Sequence, residues 1–141
     1  MKVNLFSLVA FAAFCITTMT SNAQAQCSNA ILRGDYVFYT QGTVAPAGTP
    51  RVNLVLQTFD GKGNFTSRFV TNDNGTITRG TLLGLTYQIN ADCTGLAFDA
   101  QGNEQGVFIV QPGGREFSFI RTNPSSLVIL GFGKRLSGDD N

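Results

Sequence analysis

The chain has 141 residues, of which 43% are hydrophobic and 13% charged, and its formal net charge is +1. This length is typical of one domain and leaves no room for a second catalytic module. The sequence holds no histidine, which excludes Ser-His-Asp and Cys-His nucleophilic sites, imidazole acid–base chemistry and His-ligated metal centres. The near-neutral charge argues against a nucleic-acid partner, because binding to phosphates needs several basic side chains clustered on one face.

The N-terminus has the pattern of a secretory signal peptide. Met1-Lys2 supplies a positive start, Val3–Ile16 is mostly apolar, and a polar stretch then ends in Ala23-Gln24-Ala25. A membrane anchor needs about 20 continuous apolar residues, and this run is shorter. We therefore predict a signal peptide over residues 1–25, cleaved after Ala25, and a single domain over residues 26–141. The mature protein is expected to be periplasmic or extracellular and not inserted in a membrane.

Cleavage would remove Cys15 and leave two cysteines, Cys27 and Cys93. An even number of cysteines in an oxidising compartment predicts a disulfide between them. The chain-entropy model gives about 4 kcal/mol for a loop of this length. The alternative, free thiols or a catalytic cysteine, lacks a histidine that would activate either thiol.

The rest of the chain is predicted to form β-strands. Short runs rich in Val, Ile, Thr, Phe and Tyr recur about every ten residues, and turn residues separate them. The eight predicted strands are Asp35–Thr43, Arg51–Phe59, Asn64–Thr71, Thr81–Asn90, Thr94–Asp99, Glu104–Val110, Glu116–Thr122 and Ser126–Arg135. Several turns contain Asp-Gly or Asn-Gly, which supply the positive φ angles of tight hairpins. Short connections make sequential strands antiparallel neighbours.

Alternation along the strands predicts which faces are buried. In the fourth strand the predicted apolar face is Leu83, Leu85, Tyr87 and Ile89, opposite Leu82, Thr86 and Gln88. In the second strand it is Val52, Leu54 and Leu56, opposite Arg51, Asn53 and Gln57, with Val55 as the exception. The last strand is apolar on both faces from Leu127 to Gly133, which predicts that both are covered.

Eight antiparallel strands in so short a chain favour closure, because an open sheet would leave two exposed edges. The alternatives are a barrel and a two-sheet sandwich. The short hairpins favour an eight-stranded antiparallel up-and-down β-barrel, since a Greek-key sandwich needs longer crossovers.

Few side chains could carry chemistry. Arginines in mid-strand either face solvent or point into a lumen, where they would bind an anionic or carbonyl group. Each glutamate at the start of a strand is either a solvated strand end or a carboxylate for acid–base catalysis. Each tyrosine either forms a hydrogen bond to a ligand or packs in the core. The candidate lumen residues are Arg68, Arg121, Glu104, Glu116, Tyr36 and Tyr87.

No motif predicts a metal or a cofactor. The turns that contain Asp60, Asp73 and Asp99 are rich in Asp and Asn, but none has the spacing of an EF-hand loop, and turn chemistry accounts for them. Each glycine cluster joins two strands, whereas a phosphate loop joins a strand to a helix. The segment Phe59–Asn64 is echoed by Phe98–Asn103, through internal duplication or through hairpin chemistry alone.

A set of short motifs resembles a family of small exported bacterial proteins of unassigned function. The motifs are Cys27-Ser28-Asn29-Ala30-x-Leu32-x-Gly34-x-Tyr36-x-Phe38, Phe59-Asp60-Gly61-x-Gly63-Asn64, Asp92-Cys93-Thr94-Gly95 and Gly114-x-Glu116-x-x-x-Ile120. Such proteins are similar to calycin-type barrels, which include allene oxide cyclase and the dirigent proteins. The resemblance implies a lumen that binds or cyclises apolar small molecules, and it carries over no catalytic motif.

We consider three functions. The first is a binding protein whose lumen holds a small apolar ligand. The second is a cofactor-free cyclase or isomerase of the allene oxide cyclase or dirigent kind, in which charged candidates point inward. The third is a structural or interaction protein of the cell envelope, which predicts an exposed apolar patch outside the barrel. The sequence leaves the oligomeric state open.

Overall fold

The computed structural model describes residues 26–136, so the predicted signal peptide lies outside the described residues. A 3₁₀ turn at Asn29–Ile31 precedes the strands β1 Arg33–Val44, β2 Thr49–Asp60, β3 Asn64–Asp73, β4 Thr76–Ile89, β5 Thr94–Phe98, β6 Glu104–Val110, β7 Glu116–Arg121 and β8 Leu127–Arg135. Sequential strands pair antiparallel, and β8 pairs with β1, which closes the barrel. The predicted eight-stranded up-and-down barrel is confirmed.

Asp60 and Asp99 build equivalent turns at two hairpins. Asp60 Oδ1 accepts backbone N–H groups from two and four residues further on, at 2.7 and 2.9 Å, and Asp99 Oδ1 accepts the same pair at 2.9 and 2.9 Å. The Asn64 side chain adds a further bond, and together these donors lower the pKa of Asp60 to about 2. The two echoed segments thus share their hydrogen-bonding chemistry.

Aromatic rings fill one half of the lumen. The rings of this cluster are Tyr36, Phe59, Phe65, Tyr87, Phe108 and Phe117, all at most 7% exposed. Phe59 stacks on Phe65 at 5.1 Å between centroids and meets Tyr36 edge-on at 5.2 Å. Gly133 makes room for this cluster, because a Cβ there would stand 2.2 Å from the Phe117 ring. This half of the barrel is therefore a packed core.

The 3₁₀ turn and Leu32 close the barrel at the same end, and we call residues 27–32 the plug. Leu32 is fully buried. Tyr87 Oη donates to the carbonyl oxygens of Asn29 and Leu32, both at 2.9 Å. The predicted disulfide is confirmed, with 5.0 Å between the Cα atoms of Cys27 and Cys93, and it links the plug to the β4–β5 turn.

The structure reverses the predicted faces of β2. Val52 and Leu54 point outward and are 44% and 58% exposed, whereas Arg51, Asn53 and Gln57 line the lumen. The prediction for this strand was wrong because it assumed that the lumen is the apolar side. The prediction that both faces of β8 are covered fails for the single chain, in which Val128 is 64% exposed.

A β-bulge changes the phase of β4. Phe65 pairs with Leu85 and Ser67 pairs with Leu82, so β4 holds one extra residue between these pairs. Gly84 lies there with φ +71°, a left-handed conformation that suits glycine. The predicted apolar face holds from Leu85 to Ile89, but Leu83 points outward and is 68% exposed. Leu82 lines the lumen in its place.

Candidate functional site: a two-lobed cavity in the barrel

The half of the lumen opposite the plug is open. A cavity of about 210 Å³, here called the first lobe, lies between β1, β2, β3, β4, β7 and β8. Its apolar wall consists of Phe38, Val55, Phe69, Leu82, Phe119, Leu127 and Ile129. Side chains from six strands therefore enclose a space that an apolar body can occupy.

A second lobe of about 400 Å³ opens sideways where β4 separates from β5. The β4–β5 pairing covers only Thr86–Ile89 and Gly95–Phe98, so the preceding half of β4 pairs with β3 alone. The residues that line both lobes are Phe38, Gln57, Leu82, Phe119 and Arg121. Gln57 and Arg121 are the polar members of this set, and a molecule in either lobe would meet them.

Gln57 carries a buried hydrogen-bonding atom with no partner. Its side chain is 6% exposed, and Nε2 donates to Ser67 Oγ at 3.4 Å. Oε1 has no hydrogen-bond partner among the described residues. Since buried polar atoms in proteins are normally satisfied, this oxygen is open to a donor that enters the cavity, either a water or a ligand group.

A polar ladder crosses the wall of the first lobe next to Gln57. Asn53 Nδ2 donates to Thr40 Oγ1 at 2.5 Å, and Thr71 Oγ1 donates to Asn53 Oδ1. These bonds join β1, β2 and β3 and hold the Asn53 amide in one orientation. The wall is thus preorganised by its own contacts.

Two arginines lie at the open end. Arg51 Nη2 donates to Asp73 in an ion pair, while the buried Arg51 Nε has no partner in the described part of the chain. Arg121 Nε donates to the Asn123 carbonyl oxygen at 2.9 Å, and Nη2 donates to Gln105 Oε1. Burial lowers the pKa of Arg121, and the positive charge of Arg51 lowers it further, while the negative charge of Asp99 acts in the opposite direction. An anion in the cavity would offset both effects.

Three of the predicted site residues lie outside the lumen. Arg68, Glu104 and Glu116 are exposed. Glu104 Oε1 accepts a hydrogen bond from Thr122 Oγ1 at 2.7 Å, and Glu116 lies 3.6 Å from Lys134 Nζ. Of the four charged candidates, the structure places only Arg121 at the cavity.

The two candidate tyrosines belong to the closed end. Tyr36 Oη donates to the Gly114 carbonyl oxygen and accepts from Arg135 Nε at 3.1 Å. Arg135 Nη2 also donates to the Ile31 carbonyl oxygen of the plug at 3.1 Å. Burial raises the pKa of Tyr36 and raises that of Tyr87 to about 12. Both hydroxyls hold backbone around the plug, and neither residue lines the two lobes.

Sequence reasoning missed several polar residues of the cavity. These are Thr40, Arg51, Asn53, Gln57, Ser67 and Thr71. The signal that could have found them is the alternation of β2, whose polar face is long and contains two amides beside one arginine. That face was interpreted as the solvent side.

The described residues contain no cluster of His, Cys, Asp and Glu that could hold a metal ion. No helix within residues 26–136 has the length and apolar character to cross a membrane. Comparison of the chain with protein-family models, curated proteins and solved structures found no match.

Proposed function

We propose that this protein binds a small organic acid with an apolar body in its lumen. The observation that carries the proposal is the placement of Arg121 and Gln57 where both lobes meet. Arg121 forms no ion pair with a carboxylate in the described residues. A ligand carboxylate would therefore meet a cation that is available and partly desolvated.

The size of the cavity supports a small ligand. An apolar cavity of about 150 Å³ is large enough for benzene, and the first lobe has about 210 Å³. A single ring or a short branched chain therefore fits against Phe38, Phe119 and Ile129. The second lobe would admit a longer body or serve as the entrance.

The free oxygen of Gln57 adds a second requirement. Oε1 is a hydrogen-bond acceptor, so a ligand that carries a hydroxyl group would satisfy it. The proposed ligand class is thus a hydroxy acid in which an apolar ring or chain separates the hydroxyl from the carboxylate. Arg121 at the cavity is compatible with the cyclase or isomerase hypothesis as well. Binding is favoured over it, because Glu104 and Glu116 point away from the lumen and supply no carboxylate for acid–base work.

The confirmed disulfide supports a protein that acts in an oxidising compartment. Export to the periplasm or the cell exterior is part of the proposal, and the ligand would then be an extracytoplasmic acid.

Isothermal titration with matched acids and alcohols tests the proposal. The panel contains 4-hydroxyphenylacetate, phenylacetate and the neutral 2-(4-hydroxyphenyl)ethanol. A charge-assisted hydrogen bond contributes about 1.5–3 kcal/mol, so the acid should bind at least about tenfold more tightly than the alcohol. Phenylacetate should bind more weakly than its hydroxylated analogue. Equal binding of acid and alcohol, or binding of neither, would contradict the proposal.

A further inference from the structure

One side of the barrel exterior is apolar across β7, β8, β1 and β2 and the adjacent parts of β6 and β3. Its members are large apolar side chains that are 38–64% exposed. We call this set the outer apolar face, and it comprises Tyr39, Val52, Leu54, Val70, Ile109, Ile120, Val128, Leu130 and Phe132. This exposed surface has the character that the third hypothesis predicted for an interaction protein.

The strand register makes this face continuous. In one row across the strands Leu54 lies beside Tyr39, Tyr39 beside Phe132, and Val70 beside Leu54. In the next row Leu130 lies beside Ile120 on one strand and beside Gln41 on the other. Directly paired residues on one face of a sheet are in contact distance, so these side chains form one surface.

The outer apolar face covers one side of the barrel only. The outer wall of β3 and β4 carries the exposed polar residues Thr66, Arg68, Arg79 and Thr81. Glu116 and Lys134 pair with each other at one border of the apolar face. An apolar centre with a polar border is the usual anatomy of a protein–protein interface.

The area of this face matches what an association between two copies needs. Full burial of a large apolar side chain contributes about 1.5–3 kcal/mol, at about 25 cal/mol per Å² of apolar surface. Each such side chain therefore presents about 60–120 Å² when it is fully exposed. Half exposure of these nine side chains leaves roughly 300–500 Å² of apolar surface. A standard interface buries about 800 Å² on each partner, of which somewhat more than half is apolar.

We propose that the outer apolar face is the interface through which two copies of this chain form a symmetric dimer. In such a dimer the same patch meets itself across a two-fold axis. The rows named above contain no charged residue, so self-association brings no like charges together. A lipid surface is the other apolar partner to consider, but it is favoured by basic side chains around the patch. The Glu116–Lys134 pair makes one border neutral. At the opposite border Arg79 lies beside Val70, so the test below includes a lipid arm.

Sedimentation velocity of the oxidised protein over roughly 1–100 µM tests this proposal, since interfaces of standard size give micromolar or tighter affinity. The wild-type protein is expected to sediment as a dimer. Leu130→Lys and Leu54→Lys should each weaken dimerisation at least about tenfold, because the two-fold axis duplicates the buried charge. Leu83→Lys is the matched control, since Leu83 is an exposed leucine on the opposite wall, and it should leave the dimer intact.

Thermal unfolding of each variant shows whether the fold is retained, and exposed positions should tolerate lysine. A wild-type protein that stays monomeric over the whole range would overturn the proposal. So would a dimer that both face variants leave unchanged. Flotation with phosphatidylcholine vesicles tests whether the outer apolar face binds lipid instead. A monomer that binds these vesicles through this face would show that it is a lipid-binding surface and would overturn the dimer proposal.

Discussion

Arg121 donates to the side chain of Gln105 on the neighbouring strand, so the arginine between the two lobes is held by a neutral oxygen. Gln105 Nε2 in turn donates to Asp99 Oδ2 at 3.1 Å. The guanidinium is thus oriented through its neighbours and makes no direct ion pair with a carboxylate in the described residues. Asp99 acts on its charge from the far side of the Gln105 amide. The proposed acid ligand would supply the direct carboxylate partner.

Removal of the charge at this position should weaken acid binding. Arg121→Gln is expected to lower the affinity for 4-hydroxyphenylacetate about tenfold or more, since a hydrogen bond to a charged group contributes about 1.5–3 kcal/mol. The affinity for the neutral alcohol should change little. Isothermal titration measures both, with Arg68→Gln as the control, because Arg68 is exposed on the outer wall. An equal loss in the two arginine variants would exclude a specific role for Arg121.

The bulge in β4 predicts different effects for two adjacent leucines. Leu82 lines both lobes, whereas Leu83 is 68% exposed and lines only the second lobe. Leu82→Ala should reduce ligand affinity roughly fivefold, since the lost apolar contact contributes about 1 kcal/mol. Leu83→Ala should have a smaller effect on affinity, because most of its side chain faces solvent. The prediction fails if Leu83→Ala has the larger effect in the same titration.

The tyrosine beneath the plug should affect stability and not binding. Tyr87→Phe removes the hydroxyl proton that the carbonyl oxygens of Asn29 and Leu32 share. The Asn29 oxygen keeps the backbone N–H of Leu32 as a donor, at 3.2 Å. We expect the free energy of unfolding to fall by about 1–3 kcal/mol, because the buried Leu32 oxygen loses its donor. Urea denaturation measures this change, with Tyr39→Phe as the control, since the Tyr39 hydroxyl is exposed. Unchanged stability in Tyr87→Phe would contradict the role given to the plug.

The turn at Asp60 should contribute a pH-dependent stability. The pKa of Asp60 is lowered from 3.8 to about 2 in the folded protein, so between these values the unfolded chain binds more protons. The stabilisation is therefore complete above about pH 4 and is lost as the pH falls towards 2. An NMR titration of the carboxyl group measures the pKa directly. Asn64→Ala should raise the pKa of Asp60, because the Asn64 side chain is its main donor.

The control for this titration is Asp99, whose pKa is lowered by the equivalent donor Asn103. Asn64→Ala should leave the pKa of Asp99 as it is. A wild-type pKa near 3.8 for Asp60 would show that the turn bonds do not form in solution.

Local chemistry was enough to predict the strands, the closure and the disulfide. Each hairpin contains its own turn signal, and the short connections leave few topologies. Cleavage of the predicted signal peptide would make the cysteine count even, and the sequence has no histidine that would activate either thiol. These signals lie within a few residues of each other or follow from a count of residues, so they can be recognised in the sequence alone.

The site could be predicted only in small part, because the two sides of a barrel wall cannot be told apart by alternation alone. Val52 and Leu54 suggested a buried face, yet the structure places Arg51 and Gln57 inside. In β4, the one-residue bulge at Gly84 turns Leu82 into the lumen, where alternation alone predicts Leu83. Both errors have one cause: the face of a strand that points into the lumen is set by the closure of the barrel and by the bulge, and the alternation within that strand encodes neither.

The most direct test of lumenal acid binding is to map the bound probe by NMR. Backbone amide shifts are recorded while the isotope-labelled protein is titrated with 4-hydroxyphenylacetate. We predict that the shifts of Gln57, Leu82 and Arg121 change with one common affinity, while those of Asn29 and Tyr87 at the plug stay constant. Changes confined to the outer apolar face, or no saturable change at all, would contradict the account.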